Sequence, residues 1–317
     1  MIYVGIDVGG TGIQVGLVDE SGKILCKGGI VTRTDIPFDM QVKAMADCVL
    51  ETIDKGGYTL GDVKAIGAGV PGVTDPRTGN IAFCTNLGWV DVPFVQEFNK
   101  HIAKPVFVGN DATVAGLAES VAGVSAGSDS SVFITLGTGV GGGVVLDGKM
   151  LTGYTGAASE LGHMVIRAGG EECTCGRRGC FEAYASATAL IRETKRAMAA
   201  HPESRMHAAA EENGAVDGRT AFIAAQRGDA AAQAVVDRYL DDLACGVANI
   251  VNIFFPEVIA LSGGVANQGD ALLVPLRERV RALSYGSRYA VRHTRIELCT
   301  LGYRAGVIGA ALLAKQS

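Results

Sequence analysis

Apolar residues in this chain come alternately in short unbroken runs and in helix-spaced stretches. The opening run Met1-Ile-Tyr-Val-Gly-Ile6 reads as a strand, and residues 39–53 repeat their apolar positions with helical period. Residues 63–70 are strand-like and end in the turn Pro71-Gly72, residues 105–109 form another short strand, and Asp111 opens an amphipathic stretch to Ala122. Further on, helices are expected at about 183–199 and at about 220–254, the latter broken at Gly228-Asp229, with residues 201–218 between them a loop or a short frayed helix. Residues 257–262 are strand-like before Gly263-Gly264, and 306–315 make a final helix. Strands that take turns with helices predict an α/β protein.

Two glycine-rich segments resemble each other. Residues 6–19 align without gaps with residues 134–147, at an offset of 128, and each copy ends in Asp followed by a Gly-Lys turn. In both, an apolar strand enters a tight Gly/Thr turn and a second strand returns, which predicts a β-hairpin. No helix pattern opens after either turn, so the G-x-G spacings fail the context that a dinucleotide-binding fingerprint requires. Backbone N–H groups left uncovered by a Gly/Thr turn, together with a hydroxyl, form a concavity suited to phosphate. One such turn alone is equally well a plain hairpin tip; a pair related by an internal repeat favours a nucleotide clamp. The duplication predicts two lobes, residues 1–111 completed by a C-terminal helix at about 304–317, and residues 112–303, with ligands in the cleft between them.

Composition narrows the partners. The 317 residues are 48% hydrophobic, enough for a large core, and 28 Lys plus Arg stand against 33 Asp plus Glu, a net charge of −5 that disfavours a nucleic-acid phosphate backbone. The most apolar region, residues 248–262, is interrupted by Asn, Pro and Glu well short of the roughly 18 residues of a spanning helix. The chain opens directly on a strand with no signal-peptide pattern, so a reducing, cytoplasmic setting and a small-molecule ligand are expected.

The densest chemistry lies in residues 160–182, where Glu160-Leu-Gly-His163 is followed by Cys173-Thr-Cys175-Gly-Arg-Arg-Gly-Cys180-Phe-Glu182. One His and three Cys supply the four donors of a closed tetrahedral zinc site, with no position left for water, so the metal is expected to be structural and to hold Glu160 and Glu182 in place. Plain thiols or a disulfide are the competing readings. Against them, Cys26, Cys48, Cys84, Cys245 and Cys299 are scattered singly among apolar residues while the other three cluster. His101, His201, His207 and His293 carry no such pattern. Asn110-Asp111 follows a strand and precedes a helix, where open α/β sheets place their chemistry, although Asp also suits a plain helix N-cap. Phosphoryl transfer to an alcohol needs a carboxylate to take the proton, groups to orient the acceptor, and a clamp with Mg²⁺ on the phosphates. Asp111, the pair Glu160 and Glu182, and the two Gly/Thr turns match those demands.

Asp7-Val-Gly-Gly-Thr11, Asn110-Asp111, Leu136-Gly-Thr-Gly139, the cysteine loop and Leu261-Ser-Gly-Gly264 occur in the order found in the ROK family of sugar kinases and repressors, which this chain resembles over nearly its whole length. The resemblance implies the duplicated actin-like, ribonuclease-H-like fold and ATP-dependent phosphorylation of a hexose at the 6-hydroxyl, with glucose first and N-acetylmannosamine, mannose, fructose or allose as alternatives. It implies Asp111 as general base and Gly69, Asn86, Asn110, Glu160, His163 and Glu182 at the sugar. His163, Cys173, Cys175 and Cys180 match the zinc ligands. Gly9, Gly10 and Thr11 with Gly137, Thr138 and Gly139 match the phosphate loops, Gly263 and Gly264 lie where adenosine is held, and Asp7 reaches Mg²⁺. The family also suggests a homo-oligomer, dimer or tetramer. Its repressors carry a DNA-binding segment before the first phosphate motif, which here begins at Asp7, and a sugar sensor without catalysis is a third reading. Asn86-Leu-Gly-Trp89 departs from the Asn-Leu-Pro-Gly-Trp form of many glucokinases.

Overall fold

In the computed structural model, which describes residues 1–289 and 291–316, both glycine-rich segments are β-hairpins. The first consists of β1 (Ile2–Val8) and β2 (Gly12–Asp19), paired antiparallel from Ile2 with Asp19 to Val8 with Ile13. It is followed by β3 (Ile24–Val31), α1 (Phe38–Lys55), β4 (Val63–Val70), the short strands β5 (Val73–Asp75), β6 (Asn80–Cys84) and β7 (Trp89–Val92), α2 (Phe94–Phe98), β8 (Val106–Asn110) and α3 (Asp111–Ala122). The second hairpin is β9 (Ser130–Leu136) and β10 (Val140–Leu146), followed by β11 (Lys149–Met150). Beyond the cysteine loop come α4 (Glu182–Ala185), α5 (Ala187–Ala200), α6 (Met206–Asn213), α7 (Thr220–Gln226), α8 (Ala230–Phe254), β12 (Val258–Ser262), α9 (Asp270–Leu283), β13 (Arg295–Leu298) and α10 (Ala305–Gln316).

The duplication is visible in the sheets. One runs β3-β2-β1-β4-β8 and the other β11-β10-β9-β12-β13, so each strand of the first has a counterpart in the same place in the second. In both, the last two strands run parallel, β4 with β8 and β12 with β13. This is the duplicated α/β architecture of the actin-like fold. A third sheet, β5-β6-β7, has no counterpart.

Contacts divide the chain into two compact units, Met1–Phe133 with Gly143–Ser159 and Cys299–Ser317, and Ile134–Gly142 with Glu160–Leu298. The expected lobes, 1–111 with 304–317 and 112–303, draw the line elsewhere. Helix α3 packs on α10 through Val114, Leu117 and Ala118 against Ile308 and Leu312, which keeps residues 111–122 in the first unit.

Within the first unit the apolar strand faces are covered on both sides. Val4, Ile6, Val15 and Leu17 lie in one core with Val42, Met45, Val49 and Ile53 of α1, where each buried side chain contributes about 1.5–3 kcal/mol. On the other face Tyr3, Val18 and Ala65 meet Val307, Ala311 and Ala314 of α10. That helix lies so close that a Cβ on Gly5 or Gly67 would run into the carbonyl oxygens of Val307 or Ala310. In the second unit Phe181 is fully buried and its ring fills the space over Gly246 of α8, which anchors the end of the cysteine loop. Among the described residues no helix is long and apolar enough to cross a membrane.

Candidate active site

In the first unit three neighbouring parallel strands bring their carboxyl ends together. The register pairs Asp7 of β1 with Gly69 of β4, and Val70 of β4 with Asn110 of β8, so Asp7, Gly69, Asn110 and Asp111 share one edge of the sheet. Asn110 caps α3: its Oδ1 accepts from the Thr113 backbone N–H at 3.1 Å, and its Nδ2 donates to the Gly72 carbonyl at 3.1 Å. Asp111 is therefore the first residue of the helix and not its cap. Its Oδ1 accepts from the Ala112 N–H at 2.8 Å. A helix N-terminus favours the charged carboxylate by roughly 0.3–1 kcal/mol at an exposed site. Burial nevertheless wins and pushes the Asp111 pKa up. Asp7 is pushed up to about 6, first by burial and then by the charge of Asp111. The first turn of α10 abuts it, since a Cβ on Gly306 would strike the Asp7 carboxylate.

The turn between β1 and β2 is closed by the Gly9 N–H donating to the Gly12 carbonyl at 3.0 Å, and steadied by Thr32, whose hydroxyl donates to the Gly9 carbonyl at 2.6 Å. Thr11 is exposed at its tip. Asn86 stands beside this turn, its Cβ 3.6 Å from where a Cβ on Gly10 would be. The chain around Asn86 is pinned by buried Trp89, whose indole N–H donates to Gln41 Oε1 at 3.1 Å and whose ring lies edge-on to Phe38.

In the second unit His163, Cys173, Cys175 and Cys180 converge, with their donor atoms all within 4.8 Å of one another. Cys173 Sγ lies 3.6 Å from His163 Nδ1, and Cys175 Sγ lies 3.7 Å from Cys180 Sγ. Metal bonds of about 2.3 Å to sulfur and about 2.0 Å to nitrogen give tetrahedron edges of about 3.8 Å between sulfurs and about 3.5 Å between sulfur and nitrogen. The donor set and spacing fit zinc. His163 turns Nδ1 toward the thiols, which leaves Nε2 for a second partner. The loop itself is held by backbone bonds, Cys173 N–H to the Arg177 carbonyl at 2.9 Å and Phe181 N–H to the Met164 carbonyl at 2.7 Å.

The turn Gly137-Thr-Gly139 sits on the chain that leaves the cysteine loop. Glu182 Oε2 accepts from the Val140 N–H at 3.0 Å, the Ala187 N–H donates to the Gly137 carbonyl at 2.8 Å, and the Thr188 hydroxyl donates to the Thr138 carbonyl at 2.7 Å. Gly263, in the left-handed region at φ 93°, lies against the backbone of Leu136, so β12 delivers Gly263-Gly264 to the base of the same turn. Exposed Glu160 opens the short turn to His163, and Gly162 within it packs on the Val140 carbonyl. The sequence-predicted residues thus form one set in each unit. A concavity of about 370 Å³ lined by Phe255, Arg277, Tyr285 and His293 contains none of them.

Sequence reasoning missed Thr174, Thr188 and Gly306, which touch the predicted residues without belonging to a motif. Thr174 had a signal in its place between two of the clustered cysteines; Gly306 had none, because its partner Asp7 lies at the opposite end of the chain.

The family model described as "ROK family" matches residues 3–317. The chain is 37% identical over 315 residues to a glucokinase of Halalkalibacterium halodurans, covering 99% of this chain and 95% of that one. It is 38% identical over 314 residues to a glucokinase of Thermotoga maritima, covering 99% and 97%. Its fold is similar, with a TM-score of 0.81 and 32% identity over the full length of both chains, to the crystal structure of a ROK family glucokinase from Streptomyces griseus in complex with glucose and AMPPNP.

Proposed function

The chain belongs to the ROK family, and from that premise we propose that it is an ATP-dependent sugar kinase that transfers the γ-phosphoryl group to the 6-hydroxyl of glucose. The observation that carries this reading is the release of Asp111 from capping by Asn110, at the end of β8, with its pKa raised. A carboxylate of raised basicity held beside a hydrogen-bonding Asn is the group needed to take the hydroxyl proton as the oxygen attacks phosphorus.

In this reading Asn86, Asn110, Glu160, Glu182 and His163 Nε2 bind the sugar hydroxyls, each of which is both donor and acceptor and is read best by charged or amide partners. Gly69 lines the same pocket and, having no side chain, lets the start of α3 pack close beside it, since a Cβ there would strike the Val114 side chain. Gly9, Gly10 and Thr11 with Gly137, Thr138 and Gly139 hold the phosphates, and Gly263-Gly264 the adenosine. Asp7 offers the hard carboxylate oxygen that suits Mg²⁺, directly or through water, and the ion when bound neutralises charge on the phosphates. Zinc held by His163, Cys173, Cys175 and Cys180 is structural, because four protein donors leave no open position. Such thiolates persist in a reducing compartment, so the cytoplasm is the setting assigned.

The test is ADP release from Mg-ATP by the purified protein with glucose, mannose, fructose, allose and N-acetylmannosamine in parallel. Highest kcat/KM on glucose supports the reading. Preference for another sugar moves the substrate within the family, and sugar binding without ADP release from any of them replaces the kinase by a sensor.

A further inference from the structure

We infer that Thr174 is a positioning residue that ties the metal loop to the nucleotide turn, so that the phosphate donor's affinity depends on how the cysteine loop is held. The inference rests on the nucleotide role proposed for residues 137–139 and adds a residue outside any motif. Thr174 lies between the ligands Cys173 and Cys175, so a bound metal would fix its backbone from both sides. Its hydroxyl donates to Glu182 Oε1 at 3.0 Å. The other oxygen of the same carboxylate accepts from the Val140 N–H at 3.0 Å, at the point where the turn becomes β10.

Both oxygens of Glu182 are thus engaged, one by the metal loop and one by the hairpin. Gly139 completes the fit, because a Cβ there would overlap Glu182 Oε2. Three further contacts make the segment beyond Glu182 the platform of the turn. Ser186 Oγ caps α5 by accepting from the Ala189 N–H at 3.1 Å, and the first residues of that helix, Ala187 and Thr188, hold the carbonyls of Gly137 and Thr138. A carboxylate has several rotamers, and a backbone N–H alone does not choose among them. The Thr174 hydroxyl supplies the second anchor. Without it Glu182 is free to turn about its bond to Val140, and the turn loses a charge-assisted hydrogen bond in a fraction of molecules. The thiol of Cys173, 3.5 Å from Glu182 Oε1, does not replace Thr174, since a metal-bound thiolate has no proton to donate.

The experiment is calorimetric titration of Mg-AMPPNP, without sugar, into wild type, Thr174→Val and Thr174→Ser, with zinc content measured on the same samples. Valine keeps the shape and removes the donor; serine restores the donor. The expected result is a Kd raised roughly five- to tenfold in Thr174→Val at unchanged zinc content, the size of one hydrogen bond's net contribution, and within about twofold of wild type in Thr174→Ser. Equal Kd values for wild type and Thr174→Val overturn the inference while leaving the kinase reading intact. Loss of zinc from Thr174→Val also overturns it, because the effect would then pass through the metal and not through the hydroxyl. A wild type that binds no Mg-AMPPNP at all overturns both.

Discussion

Asn110 Oδ1 accepts a hydrogen bond from the Thr113 backbone N–H at 3.1 Å, and this one contact separates two jobs that the sequence left open for Asp111. The cap of α3 is an amide, so the neighbouring carboxylate, which takes the Ala112 N–H through Oδ1, is not the group that caps the helix.

Asn110→Ala is therefore expected to cost about 1 kcal/mol of stability through the lost cap. It also frees the Gly72 carbonyl from Asn110 Nδ2, so the loop after β4 should loosen and the sugar KM should rise. Urea unfolding and glucose kinetics on the same variant check this. Unchanged stability would assign the cap to another group.

The metal loop makes a separate prediction. Cys175→Ser should bind zinc weakly or not at all, lower Tm, and raise the sugar KM by loosening Glu160 and Glu182. Prolonged chelation of wild type should do the same, with recovery on adding zinc. A metal-free variant with full activity and unchanged Tm would remove the structural role from the cluster.

Asp7 ties stability to pH in metal-free buffer. Its folded pKa of about 6 lies above the ordinary 3.8, so between those values the folded chain holds a proton that the unfolded chain lacks. The sign follows: the protonated carboxyl favours folding at low pH, and stability is lost as pH rises through the window, by about 3 kcal/mol at most once both states are ionised. Asp7→Asn removes this dependence. The variant should gain on wild type between about pH 4.5 and about pH 7.5 in urea unfolding, while losing affinity for Mg-ATP. A stability difference that stays the same at both pH values contradicts the burial of Asp7.

Much of this was legible because glycine and threonine leave a strong local signature. The offset of 128 carries the boundaries of one hairpin onto the other, Ile2 to Ser130, Val8 to Leu136 and Gly12 to Val140, and the strands β4 and β12 and the helices α3 and α10 lie close to where their periodicity puts them. Ser186 was harder to see. Apolar periodicity runs on through it, yet its hydroxyl caps α5 and splits the expected helix in two. Strands β5, β6 and β7 are three to five residues long and partly exposed, too short for alternation to stand out. Helix α9 carries Pro275 inside it, which breaks the helical signal. Residues 201–218 contain a helix, α6, ended by Gly214 at φ 77°. The partners of Glu119 were beyond reach altogether. It reads as one polar residue of an amphipathic helix, but it is buried and accepts from the backbone N–H groups of Val124 at 2.9 Å and of Leu301 at 2.9 Å, the latter 182 positions away.

The most direct test of the central claim is the steady-state rate of glucose phosphorylation by Asp111→Asn beside wild type, with glucose binding measured on both. The side chain keeps its shape but loses its charge and the ability to take a proton. The account predicts a kcat lower by roughly 10²–10⁴-fold with glucose Kd changed no more than a few fold, since general-base catalysis is of that size. Turnover by Asp111→Asn within a few fold of wild type would contradict it.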